Sequence, residues 1–297
     1  MPKTVLITGC STGIGKTAAV HFARKGWNVI ATMRRPETAT GFPDIQNFFV
    51  TRLDVQDAAS VRKAIEEGIK QFGVIDVLVN NAGFGLFGIF ESTPDEKIRE
   101  QFDVNVFGVM NTIRSILPHF RENKTGLILN ITSGAGVFAL PMLSLYCSSK
   151  FAVEGLSESL SYELASQNIG IKIIEPGGVV STGFGSRSGH EAAQNTPPAE
   201  YADFVTATGL VFQNLRSSRL ATEQDVADVI YGAATDGSAQ LRYVATEDIK
   251  PLVKKRRETS EEEYLGFIRA EFQHPWGSDH MAPPERAQKR KLNEAQH

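Results

Sequence analysis

The sequence contains few cysteines, few histidines and no long apolar segment. Its 297 residues include two cysteines, Cys10 and Cys147, so we expect no structural disulfide and a location in the reducing cytoplasm. The six histidines are scattered, and no spacing typical of a metal site is present, so we expect no metal. No segment approaches the ~20 consecutive apolar residues that a membrane-spanning helix requires.

A strong charge of either sign is also missing. The net charge of −3 argues against nucleic acid or an anionic membrane as the main partner. The chain begins Met1-Pro2-Lys3-Thr4 and continues directly into an apolar segment, so we expect no signal peptide. With 41% hydrophobic residues the chain can bury a substantial core, and its length fits one large α/β domain.

Short apolar segments alternate along the chain with segments of helical periodicity. The predicted strands cover 3–8, 27–32, 47–52, 75–79, 126–132, 170–175 and 241–246. The predicted helices include 57–72, a segment from about 94 to 121, and 146–168. This alternation is typical of a parallel sheet covered by helices on both faces. We therefore predict an α/β fold of the Rossmann type, a doubly wound parallel sheet of about seven strands.

A glycine-rich turn joins the first predicted strand to a predicted helix. Its sequence is Thr8-Gly9-Cys10-Ser11-Thr12-Gly13-Ile14-Gly15. Glycines permit a tight turn and close approach of the backbone to a pyrophosphate, and the helix N-terminus offers unpaired N–H groups to the phosphates. The turn therefore predicts a dinucleotide site, with contacts from Gly9, Ser11, Thr12, Gly13 and Ile14.

Tyr146 and Lys150 are four residues apart in a predicted helix, so both side chains project from one face. A phenol with an ordinary pKa near ~10 is a poor proton donor at neutral pH, and a neighbouring cation favours the phenolate. We therefore expect Lys150 to lower the pKa of Tyr146 and to make the phenol a general acid/base. The spacing alone also fits an amphipathic tyrosine beside a solvated lysine, so this interpretation depends on the other motifs.

Four motifs together resemble those of the short-chain dehydrogenase/reductase family. They are the glycine turn, Asn80-Asn81-Ala82-Gly83, Ser133 and Tyr146-x-x-x-Lys150, in the family's order and spacing over roughly residues 3–247. The resemblance implies hydride transfer between a nicotinamide cofactor and a carbonyl or secondary alcohol. Tyr146 would exchange the proton at the reacting oxygen, assisted by Ser133. Lys150 would bind the nicotinamide ribose, and Asn105 would hold a water in a proton relay unless it is simply a hydrogen-bonded asparagine inside a helix.

The resemblance also implies cofactor contacts after the third, fourth and sixth predicted strands. Asp54 would meet the adenine ring, and Pro176-Gly177 would border the nicotinamide. The full set comprises Asp54, Val55, Asn81, Ala82, Gly83, Lys150, Pro176, Gly177, Val179 and Ser181. The family's threonine five residues after the proline is replaced here by Ser181, with Thr182 next, which leaves open which hydroxyl contacts the cofactor.

The end of the second predicted strand bears on the choice of cofactor. An acidic residue there would bind the ribose 2′-hydroxyl of NAD, but the sequence is Ala31-Thr32-Met33-Arg34-Arg35 and the first acid is Glu37. Arg34 is placed to pair with a 2′-phosphate, so we expect NADP(H), with NAD(H) as the alternative. A solvated pair is the other interpretation of the two arginines.

Residues 181–220 interrupt the alternation with many turn-forming residues. They follow the sixth predicted strand, whose carboxyl end faces the binding crevice of such a sheet, so we predict a substrate lid rather than an inert insertion. The lid and nearby loops would line an apolar pocket unless their large side chains simply pack the loops down. The pocket residues would be Phe84, Leu86, Phe87, Val137, Phe138, Ala139, Leu140, Phe184 and the aromatic residues of 201–212.

The chain divides into three predicted parts. Residues 1–250 form a single dinucleotide-binding catalytic domain, which includes the lid at about 181–220. Residues 251–274 form an amphipathic helical extension with many charged pairs, and 275–297 form a polar, poorly ordered tail.

The predicted function is an NADP(H)-dependent carbonyl reductase or secondary-alcohol dehydrogenase. The alternative from another class is a dinucleotide-binding sensor or scaffold, but such proteins usually lack the tyrosine and lysine pair that this chain keeps. An NAD-linked alcohol dehydrogenase is a further alternative, whereas the glycine spacing argues against a sugar-nucleotide epimerase or dehydratase. A weak similarity to steroid and retinol dehydrogenases suggests an apolar small-molecule carbonyl or alcohol as substrate. We also expect a homodimer or homotetramer.

Overall fold

The structure is a computed structural model that describes residues 2–179, 196–217 and 221–271. The strands in this part of the chain are β1 (Thr4–Ile7), β2 (Asn28–Met33), β3 (Phe48–Arg52), β4 (Val77–Asn80), β5 (Gly126–Ile131), β6 (Ile169–Glu175) and β7 (Arg242–Val244). They form one seven-stranded sheet with the order β3-β2-β1-β4-β5-β6-β7, in which every neighbouring pair is parallel. The predicted Rossmann-type α/β fold is confirmed.

Helices cover both faces of this sheet. They are α1 (Gly13–Arg24), α2 (Ala58–Phe72), α3 (Asp95–Phe102), α4 (Gly108–Glu122), α5 (Ser144–Ala165), α6 (Ala202–Ser217), α7 (Glu223–Thr235), α8 (Lys250–Glu258) and α9 (Glu261–Glu271). Val5 and Ile7 of β1 belong to the apolar core that contains α1 and α7. Leu6 belongs to the opposite core, which contains α2, α4 and α5. Successive residues of β1 therefore face opposite cores, as they do in a parallel strand that is buried on both sides.

The strand order reverses beside β1. From β1 the chain runs outward to β2 and β3, and it then returns to β4 on the other side of β1. A crevice opens where the order reverses, outside the carboxyl ends of the two strands, and this is where doubly wound folds bind ligands. The glycine turn after β1 and the segment 80–83 after β4 both lie there.

The helix predicted from about 94 to 121 is interrupted. A π-helical turn, Asp103–Phe107, joins α3 to α4. The side-chain amide of Asn105 in this turn accepts a hydrogen bond from the Phe84 N–H at 3.0 Å and donates one to the Phe84 carbonyl at 2.8 Å. This contact joins two residues that are distant in the sequence. The apolar periodicity of the segment therefore could not predict the π-helical turn.

The chain after β7 packs against the segment that follows β5. Ile249, Val253 and Tyr264 form an apolar cluster there with Val137 and Phe138. The predicted tail 275–297 lies outside the described residues, as do 181–195 and 218–220 of the predicted lid. Within the described ranges, no helix combines the length and the apolar character needed to cross a membrane.

Candidate active site

The glycine turn after β1 is packed tightly against the turn after β4. Gly9 has a φ of +72°, and a Cβ built on it would lie 2.8 Å from the Ala82 Cα. A Cβ on Gly15 would lie 2.3 Å from Asn81 Nδ2. A side chain would clash at either position, and Gly9 also needs the left-handed conformation that glycine adopts without strain.

Thr8 and Asn81 hold the two turns together. Asn81 Nδ2 donates to the main-chain oxygens of Thr8 and Gly9, at 2.9 and 3.2 Å. The N–H groups of Asn81 and Ala82 both donate to the Thr8 hydroxyl at 3.0 Å. The Asn81 side chain therefore positions the glycine turn, and a cofactor wall at 81–83 would be formed largely by main chain.

The N-terminus of α1 faces the crevice. Thr12 precedes Gly13 in an extended conformation, and within the described residues its side chain makes no capping hydrogen bond. The first-turn N–H groups are thereby available to an anion, and the helix dipole favours negative charge there. Ser11 is exposed and Ile14 is half-buried in the same turn. This geometry fits the pyrophosphate of a dinucleotide.

Ser133, Tyr146 and Lys150 meet at the carboxyl end of β5. Tyr146 and Lys150 lie on consecutive turns of α5, and both are buried. The Ser133 hydroxyl hydrogen-bonds the Tyr146 phenol. Lys150 Nζ donates to the Ile131 carbonyl at 2.9 Å and lies 5.7 Å from the centre of the Tyr146 ring. The structure thus brings together three of the predicted catalytic residues.

Burial dominates the electrostatics of this group. It raises the pKa of Tyr146 to about 12, an effect that the hydrogen bond from Ser133 opposes. It lowers the pKa of Lys150 to about 8, and the Glu154 carboxylate opposes that shift. A lowered pKa for Tyr146 was expected, but in the protein alone the pKa is raised, and desolvation of the phenol is the main cause. The phenol is therefore protonated at neutral pH.

Asn105 is buried beside this group, and both ends of its side-chain amide are hydrogen-bonded. Besides the two bonds to Phe84, Nδ2 donates to the Ser149 hydroxyl at 3.1 Å. A Cβ on Gly83 would lie 3.1 Å from Asn105 Oδ1 and 3.7 Å from Lys150 Nζ, so all three residues are close. These contacts agree with a positioning role for the side chain, and the role of Asn105 in a proton relay stays a prediction.

Three arginines surround a cavity at the ends of β2 and β3. The cavity has a volume of about 580 Å³ and is lined by Arg34, Arg35, Glu37 and Arg52. Arg52 is the last residue of β3 and pairs in register with Met33 of β2, which places it beside Arg34. Arg52 was not among the predicted cofactor contacts, although the strand order that is typical of doubly wound folds places the end of the third strand beside the end of the second.

Asp54 and Val55, two predicted cofactor contacts after β3, differ in their surroundings. The half-buried Asp54 accepts a hydrogen bond from the Gln56 N–H at 3.1 Å, and its own N–H donates to the Ser60 hydroxyl at 3.0 Å. Val55 is buried, and a Cβ on Gly108 would lie 2.7 Å from its Cγ2. The Val55 side chain therefore packs in the core, and the Asp54 carboxylate is the better placed of the two to meet a ligand.

The segment after β6 is tied to the segment after β7. The Gly177 N–H donates to the Thr246 hydroxyl and the Gly178 N–H donates to the Asp248 carboxylate, both at 2.8 Å. The Pro176 carbonyl accepts a hydrogen bond at 2.8 Å from Gly134, the residue after Ser133. These bonds place Pro176 and Gly177 beside the segment that carries Ser133. Because they join segments about 70 residues apart, the sequence analysis missed Thr246 and Asp248.

The remaining predicted contacts of this segment are only partly described. Val179 forms an isolated parallel bridge with Ala221, which continues the segment toward α7. Ser181 and Thr182 lie outside the described residues, so the choice between their hydroxyls stays open. In the described part of the chain, no group of three or more His, Cys, Asp or Glu side chains is arranged to hold a metal ion.

An apolar cluster adjoins the Tyr146 ring. It contains Leu143, Cys147, Ala135, Phe87, Leu140 and Phe212. Phe212 of α6 packs edge-on against Phe87, with ring centres 5.2 Å apart. The Tyr201 hydroxyl donates to the Glu91 carboxylate at 2.9 Å, a second contact of the predicted lid with the loop after β4.

Other members of the predicted apolar pocket belong to different clusters. Phe84 and Leu86 pack with Leu145, and Val137 and Phe138 pack with the C-terminal helices. For these four residues the structure favours the alternative that large side chains pack the loops down. Phe184 lies outside the described residues.

The sequence matches the profile of the family described as short chain dehydrogenase over residues 3–192. It is 34% identical over 242 residues to an uncharacterized oxidoreductase of Schizosaccharomyces pombe, covering 81% of this chain and 99% of that protein. It is also 34% identical over 268 residues to retinol dehydrogenase 8 of Bos taurus, covering 85% of this chain and 84% of that protein.

Solved structures show the same likeness. A short-chain dehydrogenase from Streptomyces avermitilis superposes with a TM-score of 0.74 at 26% identity, covering 95% of this chain and 99% of that one. The structure of ElxO with NADP bound superposes with a TM-score of 0.65 at 29% identity, covering 82% of this chain and 98% of that one.

Proposed function

Because this chain belongs to the short chain dehydrogenase family, we propose that it is an NADP(H)-dependent oxidoreductase that interconverts a carbonyl and a secondary alcohol. The observation that carries the proposal is the convergence of Ser133, Tyr146 and Lys150 at the carboxyl end of β5. A buried phenol, a hydroxyl and a cation that meet at a ligand crevice suit a reaction in which an oxygen gains or loses a proton.

The chain's own residues would handle the proton and the developing charge. A bound nicotinamide would supply or accept the hydride. Tyr146, whose pKa burial raises to about 12, would be protonated at neutral pH and would donate its proton to the carbonyl oxygen. The Ser133 hydroxyl would donate a hydrogen bond to the same oxygen, where negative charge develops in the transition state. Lys150 would bind the ribose and hold the phenol in place.

The glycine turn and the arginine cavity support the cofactor assignment. The first turn of α1 offers N–H groups for the pyrophosphate, and Gly9 and Gly13, both at positive φ, permit close approach of the backbone. Arg34, Arg35 and Arg52 provide positive charge at the edge where a ribose 2′-phosphate would lie. The similar structure of ElxO has NADP bound. NAD(H) is the alternative.

An apolar carbonyl or alcohol is the substrate class that we propose. Leu143, Leu140, Phe87 and Phe212 belong to the apolar cluster that contains Tyr146, and a relative is named a retinol dehydrogenase. A pocket opening beside this cluster would bury most of an apolar ligand. The test is a screen of NADPH oxidation with purified protein over a panel of ketones and aldehydes of increasing apolar size. Hydrophobic members should turn over with the highest kcat/KM.

A sensor or scaffold that binds the dinucleotide without chemistry is the alternative from another class. The same panel separates the two functions, provided that NADPH binding is measured in parallel. Tight NADPH binding with no turnover of any carbonyl or alcohol would favour the sensor. The buried tyrosine, hydrogen-bonded by the half-buried Ser133, argues against it, because burying a polar group is costly for a protein that does not use it.

We also propose that the protein is a homodimer or homotetramer in the cytoplasm. Phe107, Phe151 and Tyr162 are 53%, 40% and 72% exposed, and the last two lie three turns apart on α5. Exposed aromatic side chains of this kind are typical of association surfaces. Light scattering should give two or four times the chain mass of 32.5 kDa. Both cysteines are free thiols, as the proposed location requires.

A further inference from the structure

Five charged side chains of alternating sign run from the catalytic helix to the C-terminal helices. They are Lys150, Glu154, Arg242, Glu175 and Arg257. Arg242 Nε lies 3.0 Å from Glu154 Oε2 and 3.8 Å from Glu175 Oε1. Arg257 of α8 pairs with the same oxygen, Glu175 Oε1, and the Glu175 side chain is fully buried. Arg242 therefore lies between the two carboxylates, and Arg257 supplies a second guanidinium to Glu175.

Glu154 stands one helical turn beyond Lys150. Its side chain is 8% exposed, and its Oε1 accepts a hydrogen bond from the Thr132 hydroxyl at 2.7 Å. A Cβ on Gly136 would lie 3.0 Å from Glu154 Cγ and 3.2 Å from the Lys150 carbonyl oxygen, so the segment after β5 closes over both residues. A carboxylate this deeply buried is costly unless it has a charged partner.

Few charged groups face Lys150 from the surrounding elements. Its own helix contributes Glu154 and the Tyr146 phenol. The end of β5 contributes the Ile131 carbonyl, and the loop after β4 and the π-helical turn contribute Gly83 and the neutral Asn105. Glu154 follows Lys150 by four residues in α5, and both are buried, so the two side chains are neighbours on one face of the helix and the Glu154 carboxylate attracts the ammonium group.

Glu154 is itself faced by charges from two strands. Glu175 at the end of β6 repels its negative charge, and Arg242 of β7 attracts it. Burial raises the pKa of Glu154, whereas the Thr132 hydroxyl and the Arg242 guanidinium lower it. Arg257, in the C-terminal extension, pairs with Glu175 and compensates its charge, which weakens the repulsion between Glu175 and Glu154.

We propose that Glu154 is a positioning residue that acts through Lys150, as the buried counter-ion that keeps the ammonium group charged. Arg242 in turn keeps the carboxylate ionised. Burial brings the pKa of Lys150 down to about 8, and the attraction of Glu154 opposes that shift, so loss of the carboxylate should increase the neutral fraction of Lys150 near neutral pH. The consequence for catalysis rests on the proposed function, but the counter-ion relationship does not.

The test is a direct titration of Lys150 in the protein without cofactor. Lysine labelled with ¹³C at Cε is followed by NMR, and the Lys150 signal is assigned by its loss in Lys150→Arg. In Glu154→Gln the pKa of Lys150 should fall by about one unit or more, so that a tenfold larger fraction is neutral at a given pH. An unchanged pKa would overturn the proposal.

Glu158→Gln is the matched control. Glu158 lies one turn further along α5 and also pairs with Arg242, but it is exposed and does not act on Lys150. The pKa of Lys150 should stay at its wild-type value in this variant, and an equal fall in both variants would also overturn the proposal. If Glu154→Gln does not fold, Glu154→Met removes the charge at similar volume and carries the same expectation.

The readout separates this inference from the proposed function. An inactive wild-type enzyme would leave the Lys150 titration interpretable, and an unchanged titration would leave the hydride-transfer proposal intact. If both hold, the pH profile of kcat/KM for reduction should lose activity at a lower pH in Glu154→Gln than in wild type. In Glu158→Gln the profile should be unaltered.

Discussion

Lys150 Nζ lies 5.7 Å from the centre of the Tyr146 ring while it donates a hydrogen bond to the Ile131 carbonyl. In the protein alone, the ammonium group therefore lies over the Tyr146 ring. The phenol is instead hydrogen-bonded by Ser133, and burial keeps its pKa near about 12. This arrangement favours the protonated phenol, which is the form required to reduce a carbonyl.

Cofactor preference should depend on Arg34. Arg34→Asp removes a charge-assisted hydrogen bond worth about 1.5–3 kcal/mol. NADPH affinity should therefore fall by roughly one to two decades, whereas NADH affinity should change far less. Isothermal titration of both cofactors measures this. Arg62→Asp, an equal charge change on the exposed face of α2, is the control. A wild-type preference for NADH would refute the assignment.

The free energy of unfolding should depend on pH because Lys150 is buried. Its pKa in the folded protein, about 8, is below its unfolded value, so the unfolded state binds more protons between these two values. Stability of wild type relative to Lys150→Met should accordingly rise as the pH increases from about 8 to about 9.5, by about 1–2 kcal/mol. Urea denaturation of both proteins at the two pH values gives the difference. A constant difference would contradict the buried-charge description.

The glycine turn should not tolerate a methyl group at Gly15. A Cβ there would lie 2.3 Å from Asn81 Nδ2 and 2.6 Å from the Gly9 carbonyl oxygen. Gly15→Ala should destabilise the protein by about 1–3 kcal/mol, as overpacking does, and weaken dinucleotide binding. Gly232→Ala on α7 meets open space and should stabilise the helix by about 0.5–1 kcal/mol. Thermal unfolding and NADPH titration compare the two variants, and equal effects would argue against the packing described here.

Substrate selectivity should depend on Phe212. Truncation by Phe212→Ala removes the edge-on contact with Phe87 beside the Tyr146 ring, so KM should rise for large apolar ketones and change little for small polar ones. Leu210→Ala, on the same helix but 56% exposed, is the matched control. Steady-state kinetics over the ketone panel tests this. Parallel behaviour of the two variants would show that α6 does not line the substrate pocket.

Local patterns predicted the fold well because each strand and each helix is specified by its own residues. The segment 57–72 is an example: Asp57 caps α2 by accepting hydrogen bonds from the Ala59 and Ser60 N–H groups, and the apolar residues recur at helical spacing. The glycine turn and the pair Tyr146 and Lys150 were likewise visible, because their spacing along the chain is the spacing of the motif.

Features that depend on contacts between distant segments were not visible. The π-helical turn at Asn105 is held by Phe84, and the surroundings of Glu154 include Arg242, which lies 88 residues away. The pKa of Tyr146 was misjudged for a related reason. The neighbouring lysine is visible in the sequence, whereas the desolvation that raises the pKa of Tyr146 arises from the packing of several elements around the phenol.

The central claim is that Tyr146 donates the proton to the substrate oxygen. Tyr146→Phe keeps the ring in its apolar cluster and removes only the hydroxyl, so the fold and NADPH affinity should be preserved. The measurement is single-turnover reduction of the best ketone by the enzyme preloaded with NADPH, in wild type and in Tyr146→Phe. The account predicts a rate lower by about 10²–10⁴-fold in the variant. A rate close to that of wild type, with NADPH still bound, would contradict it.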